Sequence, residues 1–177
     1  MTAKNILIVE DMRDWREQLA SILRRDGYSV TTAANYGEAL GVLRRDEYQL
    51  VIVDLRLSPS DENNRDGMIL LKDLSDLKIP AIVVTGYSTA EIAREAFRDY
   101  GTLDFLEKQD LEIKKLRQSV REAFQKAEAT EKELAELRAK FLRGETIKLR
   151  SPEDRLGRVL REETEKYDEQ KYQRDEP

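Results

Sequence analysis

The chain has 177 residues, of which 38% are charged, and its formal net charge is -5 at pH 7. It contains no cysteine and no histidine, which excludes disulfides, His-ligated zinc and imidazole general bases. No apolar run approaches the roughly 18 residues of a membrane span, and the N-terminus has no signal-peptide pattern. We therefore expect a cytoplasmic protein without a membrane segment, whose chemistry uses carboxylates, hydroxyls, amines and a hard metal ion.

Short apolar segments rich in Val and Ile alternate with segments of helical period through the first 110 residues. Strands are predicted at 5–9, 28–32, 50–53, 80–84 and 102–106, and helices at 13–26, 35–45, 67–77 and 88–99. The third strand, Leu50 to Val53, has no polar alternation, as expected when helices cover both faces of a parallel sheet. The pattern predicts an α/β fold of five βα units with a doubly wound parallel sheet.

After Asp110, apolar or small residues recur in alternating steps of three and four. They are Ile113, Leu116, Val120, Ala123, Ala127, Thr130, Leu134, Leu137 and Phe141. In the first half, Leu116, Val120 and Phe124 are expected to pack a fifth helix onto the sheet. A helix that continues to about residue 142 would leave the later apolar residues in need of a partner, so this seam predicts a coiled coil.

The last part of the chain is expected to form a second, shorter helix. Gly144 would end the long helix, and Ser151-Pro-Glu-Asp154 would begin a helix at about 152–167, followed by a polar tail. We accordingly expect a domain at 1–125 and a helical extension at 126–177. Residues 111–177 carry 17 Lys and Arg against 16 Asp and Glu. Such mixed charge argues against a strongly basic nucleic-acid domain, so nucleic acid is not an expected partner.

Polar side chains follow the predicted strands at their carboxyl ends. Glu10 and Asp11 follow the first strand, Asp54 the third, Thr85 the fourth and Lys108 the fifth. In an open parallel sheet, ligands bind beyond the carboxyl ends of the strands, so these side chains are expected to converge. Taken singly, Asp11 could cap a helix, Thr85 could begin a turn and Lys108 could be solvated. Their joint occurrence at four strand ends favours a functional site.

These residue types predict phosphoryl chemistry. Clustered carboxylates repel one another, and magnesium relieves that repulsion while keeping coordination positions open for a phosphoryl group. Asp54 would attack phosphorus in line and form an acyl phosphate. Lys108 would pair with the transferred phosphoryl group, and the Thr85 hydroxyl would hydrogen-bond to one of its oxygens.

Four segments resemble the motifs of bacterial two-component response regulator receiver domains. They are Ile6-Leu-Ile-Val-Glu-Asp11, Val51-Ile-Val-Asp54, Val83-Val-Thr-Gly86 and Asp104-Phe-Leu-Glu-Lys108. The resemblance covers about residues 4–125. It implies a flavodoxin-like fold with strand order 2-1-3-4-5, here followed by an extended C-terminal helix and a short extra helix.

The resemblance also implies roles for individual residues. Asp54 would be the phosphorylated residue, and Asp11, Asp54 and the backbone carbonyl of Arg56 would hold magnesium, with Glu10 acting through water. On phosphorylation, Thr85 would move toward the phosphoryl group and the aromatic ring of Phe105 would turn inward. The donor would be a histidine kinase or a phosphotransfer protein. Because the chain has no histidine, the phosphoryl group must come from another molecule.

The chain departs from the family pattern at two places. Gln109 stands where the family commonly has proline, and residues 58–65 form an insertion before the Asp66-Gly67 pair. The insertion is either a tolerated surface loop or an element that influences partner choice or water access. Neither departure removes a reacting group.

These features predict a phospho-acceptor signalling protein rather than a conventional enzyme. Its signal would pass through self-association, as a homodimer joined by the C-terminal helix, or through a downstream protein partner. The alternative is a phosphorylation-independent adaptor built on a receiver fold. A dehalogenase-like phosphatase would need a second acid two residues after its nucleophile, and this chain has Arg56 there.

Overall fold

A computed structural model describes residues 4–58 and 64–143. Contacts divide the chain into two units, Met1–Phe124 and Gln125–Pro177. Only the ends of the predicted insertion at 58–65 are described. The short helix predicted at about 152–167 and the polar tail lie outside the described residues.

Strands and helices alternate along the described chain. The strands are β1 (Asn5–Val9), β2 (Ser29–Ala33), β3 (Leu50–Val53), β4 (Ala81–Thr85) and β5 (Asp104–Glu107). The helices are α1 (Arg13–Arg25), α2 (Tyr36–Leu43), α3 (Asp66–Asp76), α4 (Ala90–Tyr100) and α5 (Ile113–Leu142), and a short 3-10 helix spans Lys108–Asp110. None of the helices in this part of the chain combines the length and apolarity that a bilayer span requires.

The five strands form one parallel sheet in the order β2-β1-β3-β4-β5. This order, together with the long C-terminal helix, confirms the predicted fold class. Side chains of the central strands alternate between two hydrophobic clusters on opposite faces of the sheet. Ile52 packs in one cluster with Leu116, whereas Val51 and Val53 pack in the other with Leu71. Each fully buried aliphatic side chain stabilises the fold by about 1.5–3 kcal/mol, so the sheet is a rigid platform for its carboxyl edge.

The first half of α5 packs onto the sheet as predicted. Leu116 and Val120 are fully buried, and Phe124 stacks on Tyr28 with ring centroids 5.4 Å apart. Lys4 adds a cation–π contact, with its Nζ 4.7 Å from the centroid of the Phe124 ring. These contacts fix α5 to the domain up to residue 124.

The second half of α5 carries the remainder of the predicted seam. There Ala127 is exposed and Thr130 is half-buried. The structure does not describe the side chains of Leu134, Leu137 and Phe141. The coiled coil therefore stays a prediction.

Some boundaries differ from the predicted ones. Thr85 is the last residue of β4 rather than the residue after it. Helix α4 begins at Ala90, two residues later than predicted, because Thr89 is its N-cap and accepts a hydrogen bond from the Ile92 amide at 3.2 Å. The hydroxyl of Ser88 is engaged elsewhere, with a residue of β5.

The ends of the predicted insertion are held together by Asn64. Its Oδ1 accepts hydrogen bonds from the backbone amide of Leu57 at 3.1 Å and from that of Asp66 at 3.2 Å. One side-chain oxygen therefore joins the segment after β3 to the start of α3.

Candidate functional site

A pocket of about 450 Å³ opens at the carboxyl edge of the sheet. Residues that follow four different strands contribute to its lining. They include Asp11, Trp15, Asp54, Thr85, Tyr87 and Lys108. The structure therefore brings the side chains predicted at the strand ends to one place.

The main chain of Asp54 is fixed at the floor of this site. Its amide donates to the Val9 carbonyl at 2.9 Å, which extends the β1–β3 hydrogen bonding one residue beyond β3. Gly67, at the start of α3, packs against the same main chain, and a Cβ there would lie 2.3 Å from the Asp54 carbonyl oxygen. Only glycine permits this approach, so α3 and β1 together hold Asp54 in place.

Both carboxylate oxygens of Asp54 have partners, although the residue is only 5% exposed. Thr85 Oγ1 donates to Oδ1 at 2.7 Å, and the backbone amide of Arg56 donates to the same oxygen at 3.2 Å. Lys108 Nζ donates to Oδ2 at 2.6 Å. The hydroxyl and the amine predicted from the sequence thus both contact this carboxylate.

Lys108 also joins Asp54 to Glu10, whose carboxyl group is buried. Its Nζ lies 2.6 Å from Glu10 Oε2 as well as from Asp54 Oδ2. The contact with Asp54 is aligned as a hydrogen bond, whereas that with Glu10 is an ion pair that leaves Oε2 without an aligned donor. Lys108 thereby supplies the positive charge between two buried acids.

The electrostatics of the site follow from this crowding. Burial, and after it the neighbouring Asp54 carboxylate, raises the pKa of Glu10 from 4.5 to about 7, although Lys108 opposes the change. Burial acts to lower the pKa of Lys108, but the hydrogen bonds and charges of Asp54 and Glu10 outweigh it and the pKa is raised. Lys108 is therefore charged at neutral pH, whereas the pKa of Glu10 lies close to neutral pH.

Three carboxylates offer a place for a hard cation. One oxygen each from Glu10, Asp11 and Asp54 lies within 4.8 Å of the others. Oxygen-only ligands of this kind suit magnesium, and Asp11 and Asp54 both line the open pocket. The residues present therefore fit a magnesium ion. That the Arg56 carbonyl binds magnesium, and that Glu10 acts on it through a water, stay predictions.

Two features of the loop after β1 were not found from the sequence. Arg16 Nη1 donates to the backbone carbonyls of both Glu10 and Asp11, at 2.6 and 3.0 Å, and so holds the acid pair from α1. Trp15, the single tryptophan of the chain, lies with its ring centroid 5.4 Å from Lys108 Nζ. No pattern in the sequence indicates either of these contacts.

The rim of the pocket carries a cation–π pair. The guanidinium carbon of Arg56 lies 3.7 Å from the centroid of the Tyr87 ring. Phe105 is half-buried in β5, with its ring centroid 6.4 Å from that of Phe97. Its predicted inward turn stays a prediction.

A family model described as response regulator receiver domain matches residues 6–121. The chain belongs to the response regulator receiver domain family. The resemblance inferred from the four motifs is thereby confirmed. Receiver domains are signalling phospho-acceptors of two-component systems, and they bind Mg²⁺ at an acidic pocket.

Curated relatives of this receiver domain are longer regulators. The transcriptional regulatory protein ZraR of Escherichia coli (strain K12) is 35% identical over 104 residues, which are 58% of this chain and 22% of that protein. The C4-dicarboxylate transport transcriptional regulatory protein DctD of Rhizobium meliloti is 32% identical over 126 residues, 70% of this chain and 26% of that protein. The chain thus spans about a quarter of the length of these relatives. Since both are named as transcriptional regulators, the expectation that nucleic acid is not a partner gains no support from them.

Solved receiver domains share the fold. A CheY-like response regulator receiver domain protein from Methanospirillum hungatei JF-1 superposes with a TM-score of 0.64 at 26% identity, over 72% of this chain and 98% of that one. NtrX from Brucella abortus has a TM-score of 0.66 at 27% identity, over 77% of this chain and 30% of that one.

Proposed function

We propose that this receiver domain accepts a phosphoryl group on Asp54 from a histidine kinase or phosphotransfer protein in a magnesium-dependent reaction. One observation carries the proposal: a nearly buried carboxylate lies in a pocket with a hydroxyl on one oxygen and an ammonium on the other. A structural aspartate could be satisfied by backbone amides alone. The convergence of Thr85 and Lys108 supplies the donors that a transferred phosphoryl group requires.

The chemical step uses Asp54 as the nucleophile. One of its oxygens attacks the phosphorus of a donor phosphohistidine, the new P–O bond forms and the P–N bond breaks, and the imidazole nitrogen keeps the electron pair. Lys108, now on Oδ2, transfers its contact to a phosphoryl oxygen, and Thr85 does the same from Oδ1. Bound magnesium would supply further positive charge to the phosphoryl oxygens.

The residues proposed to hold magnesium are Asp11, Asp54 and the backbone carbonyl of Arg56, with Glu10 acting through water. Arg16 supports this set by holding the carbonyls of Glu10 and Asp11. Phe105 is proposed as the aromatic side chain that turns inward when Thr85 moves. Phe105 is half-buried and lies in the strand next to that of Thr85, which supports that role.

The test is labelling with acetyl phosphate and magnesium, followed by intact mass measurement. We expect one added phosphoryl group on the wild type, none on Asp54→Asn, and normal labelling of Asp76→Asn, which alters an exposed carboxylate at the end of α3. Chelation of magnesium should abolish labelling. A wild-type chain that stays unmodified like Asp54→Asn refutes the proposal.

The output is proposed to pass through the helical extension at 126–177, beyond a receiver domain at 1–125, as self-association or as binding of a downstream protein. Light scattering of the full chain and of a chain ending at Glu128, each with and without phosphodonor, separates association through the receiver from association through the extension. Partner binding that Asp54→Ala leaves unchanged would favour the phosphorylation-independent adaptor. Retention on DNA that is lost on deleting residues 143–177 would instead assign a nucleic-acid contact to the extension.

A further inference from the structure

Two loops meet beside Lys108 at a carboxylate that lies outside the acidic cluster. Glu107 is the last residue of β5 and the register partner of Thr85 in β4. Ser88, in the loop after β4, donates its hydroxyl hydrogen bond to Glu107 Oε1 at 2.7 Å. Gln109, after β5, donates from Nε2 to Glu107 Oε2 at 2.9 Å. We call Ser88, Glu107 and Gln109 the Glu107 bridge.

Gln109 is a second donor to Glu107, from two residues further along the same segment, and only Ser88 reaches Glu107 from the loop after β4. The Ser88 hydroxyl, and after it the Gln109 amide, holds the pKa of Glu107 below its usual range. Glu107 is therefore ionised at neutral pH, and both hydrogen bonds have a charged acceptor, which makes them stronger than neutral ones.

Phosphorylation of Asp54 would change the contacts of both segments that this bridge connects. Thr85 and Lys108 contact the two oxygens of Asp54 directly, at 2.7 and 2.6 Å. A phosphoryl group on either oxygen replaces one of these contacts, so Thr85 or Lys108 would shift from the Asp54 oxygen to a phosphoryl oxygen. Ser88 lies three residues after Thr85, and Glu107 immediately precedes Lys108. The bridge thus ties the segment that carries the hydroxyl to the segment that carries the amine.

We propose that the Glu107 bridge holds the loops after β4 and β5 in the unphosphorylated arrangement and thereby limits how tightly the site takes a phosphoryl group or a mimic of one. The inference rests on the proposed function of Asp54. Ser88, Glu107 and Gln109 touch no reacting atom, so they act as positioning residues. Interactions present in one of two states shift the equilibrium toward that state, and loss of the bridge therefore favours the phosphoryl-bound state.

The test is calorimetric titration of the full chain with beryllofluoride, a tetrahedral phosphoryl mimic, in the presence of magnesium. One lost hydrogen bond of this kind corresponds to about a three- to tenfold change in Kd. We expect Ser88→Ala to bind about three- to tenfold more tightly than wild type, and Gln109→Ala, which leaves the hydrogen bond between Ser88 and Glu107 in place, to change less. Ser88→Thr keeps the hydroxyl and should therefore have the wild-type Kd. If only the size of the side chain mattered, Ser88→Thr would change the Kd as well. Ser75→Ala, at an exposed position of α3, is the matched control.

The outcomes separate this inference from the proposed function. If the wild type binds beryllofluoride and Ser88→Ala binds it equally or more weakly, the bridge proposal is overturned while phosphorylation of Asp54 stands. If the wild type neither binds the mimic nor takes phosphate from acetyl phosphate, the proposed function fails and the bridge proposal fails with it. Should Ser88→Ala not fold, Glu107→Ala decides, because it removes the acceptor of the same hydrogen bond at a half-exposed side chain.

Discussion

Replacing Glu10 with glutamine should make the metal-free protein less sensitive to pH. The folded state raises the pKa of Glu10 from 4.5 to about 7, so it binds the proton more tightly than the unfolded state does. The stability that this proton binding contributes is fully present below about pH 4.5 and is lost as the pH rises through 7. Glu10→Gln removes the titrating group and with it this dependence.

The size of the effect follows from the pKa difference. At about 1.4 kcal/mol per pKa unit, ionisation of Glu10 lowers the unfolding free energy by about 3 kcal/mol at pH 8. At pH 5 this loss is still less than about 1 kcal/mol. Between pH 5 and pH 8, the wild type should therefore lose about 2–3 kcal/mol of unfolding free energy relative to Glu10→Gln.

Urea denaturation in magnesium-free buffer at pH 5, 6, 7 and 8 measures this difference. Glu17→Gln, which changes an exposed glutamate on α1, is the control and should follow the wild type. Added magnesium should reduce the difference at pH 8, because a cation beside the carboxylates offsets their repulsion. Parallel pH profiles for the wild type and Glu10→Gln would refute the electrostatic reasoning.

Three further perturbations test the geometry of the site. Gly67→Ala should cost at least about 2 kcal/mol of unfolding free energy, because its Cβ would overlap the main chain after β3. The control Gly41→Ala, in open space on α2, should be neutral or stabilising by up to about 1 kcal/mol. Equal effects of the two substitutions in urea melts would contradict this account. Thr85→Val should slow labelling by acetyl phosphate about tenfold, whereas Thr85→Ser should keep most of the rate; a rate unchanged by valine would remove the hydroxyl from the mechanism. Magnesium should change the fluorescence of Trp15, and Asp11→Asn should raise the apparent magnesium Kd at least about tenfold; an unaltered Kd would exclude Asp11 as a ligand.

The sheet and the position of Asp54 could be predicted because they depend on local patterns. A fully apolar run such as Leu50–Val53 predicts a strand covered on both faces, and an acid directly after it has to lie at the carboxyl edge of the sheet. The boundaries were less predictable, since they depend on individual hydrogen bonds. Helix α4 begins after Thr89 because the Thr89 hydroxyl caps it, whereas the Ser88 hydroxyl bonds to Glu107.

The contacts within the site depend on where long side chains turn, and the sequence does not determine that. Lys108 was predicted to meet a phosphoryl group, but its simultaneous contact with Glu10 and Asp54 requires the three-dimensional packing of three loops. Arg16 and Glu107 are ordinary charged residues in the sequence. Their partners are backbone carbonyls in one case and a residue 19 positions away in the other.

The amide oxygen of Asn64 has a practical consequence for engineering. Because Leu57 and Asp66 both donate to it, one side chain connects the two chain ends at the insertion. The entropy of closing a longer loop grows only slowly with its length. A reporter peptide grafted between Ser58 and Asn64 would leave Gly67 and its support of Asp54 in place. Because Ser58 lines the pocket, such a graft would begin beside it, and the receiver could be developed into a sensor of its own phosphorylation.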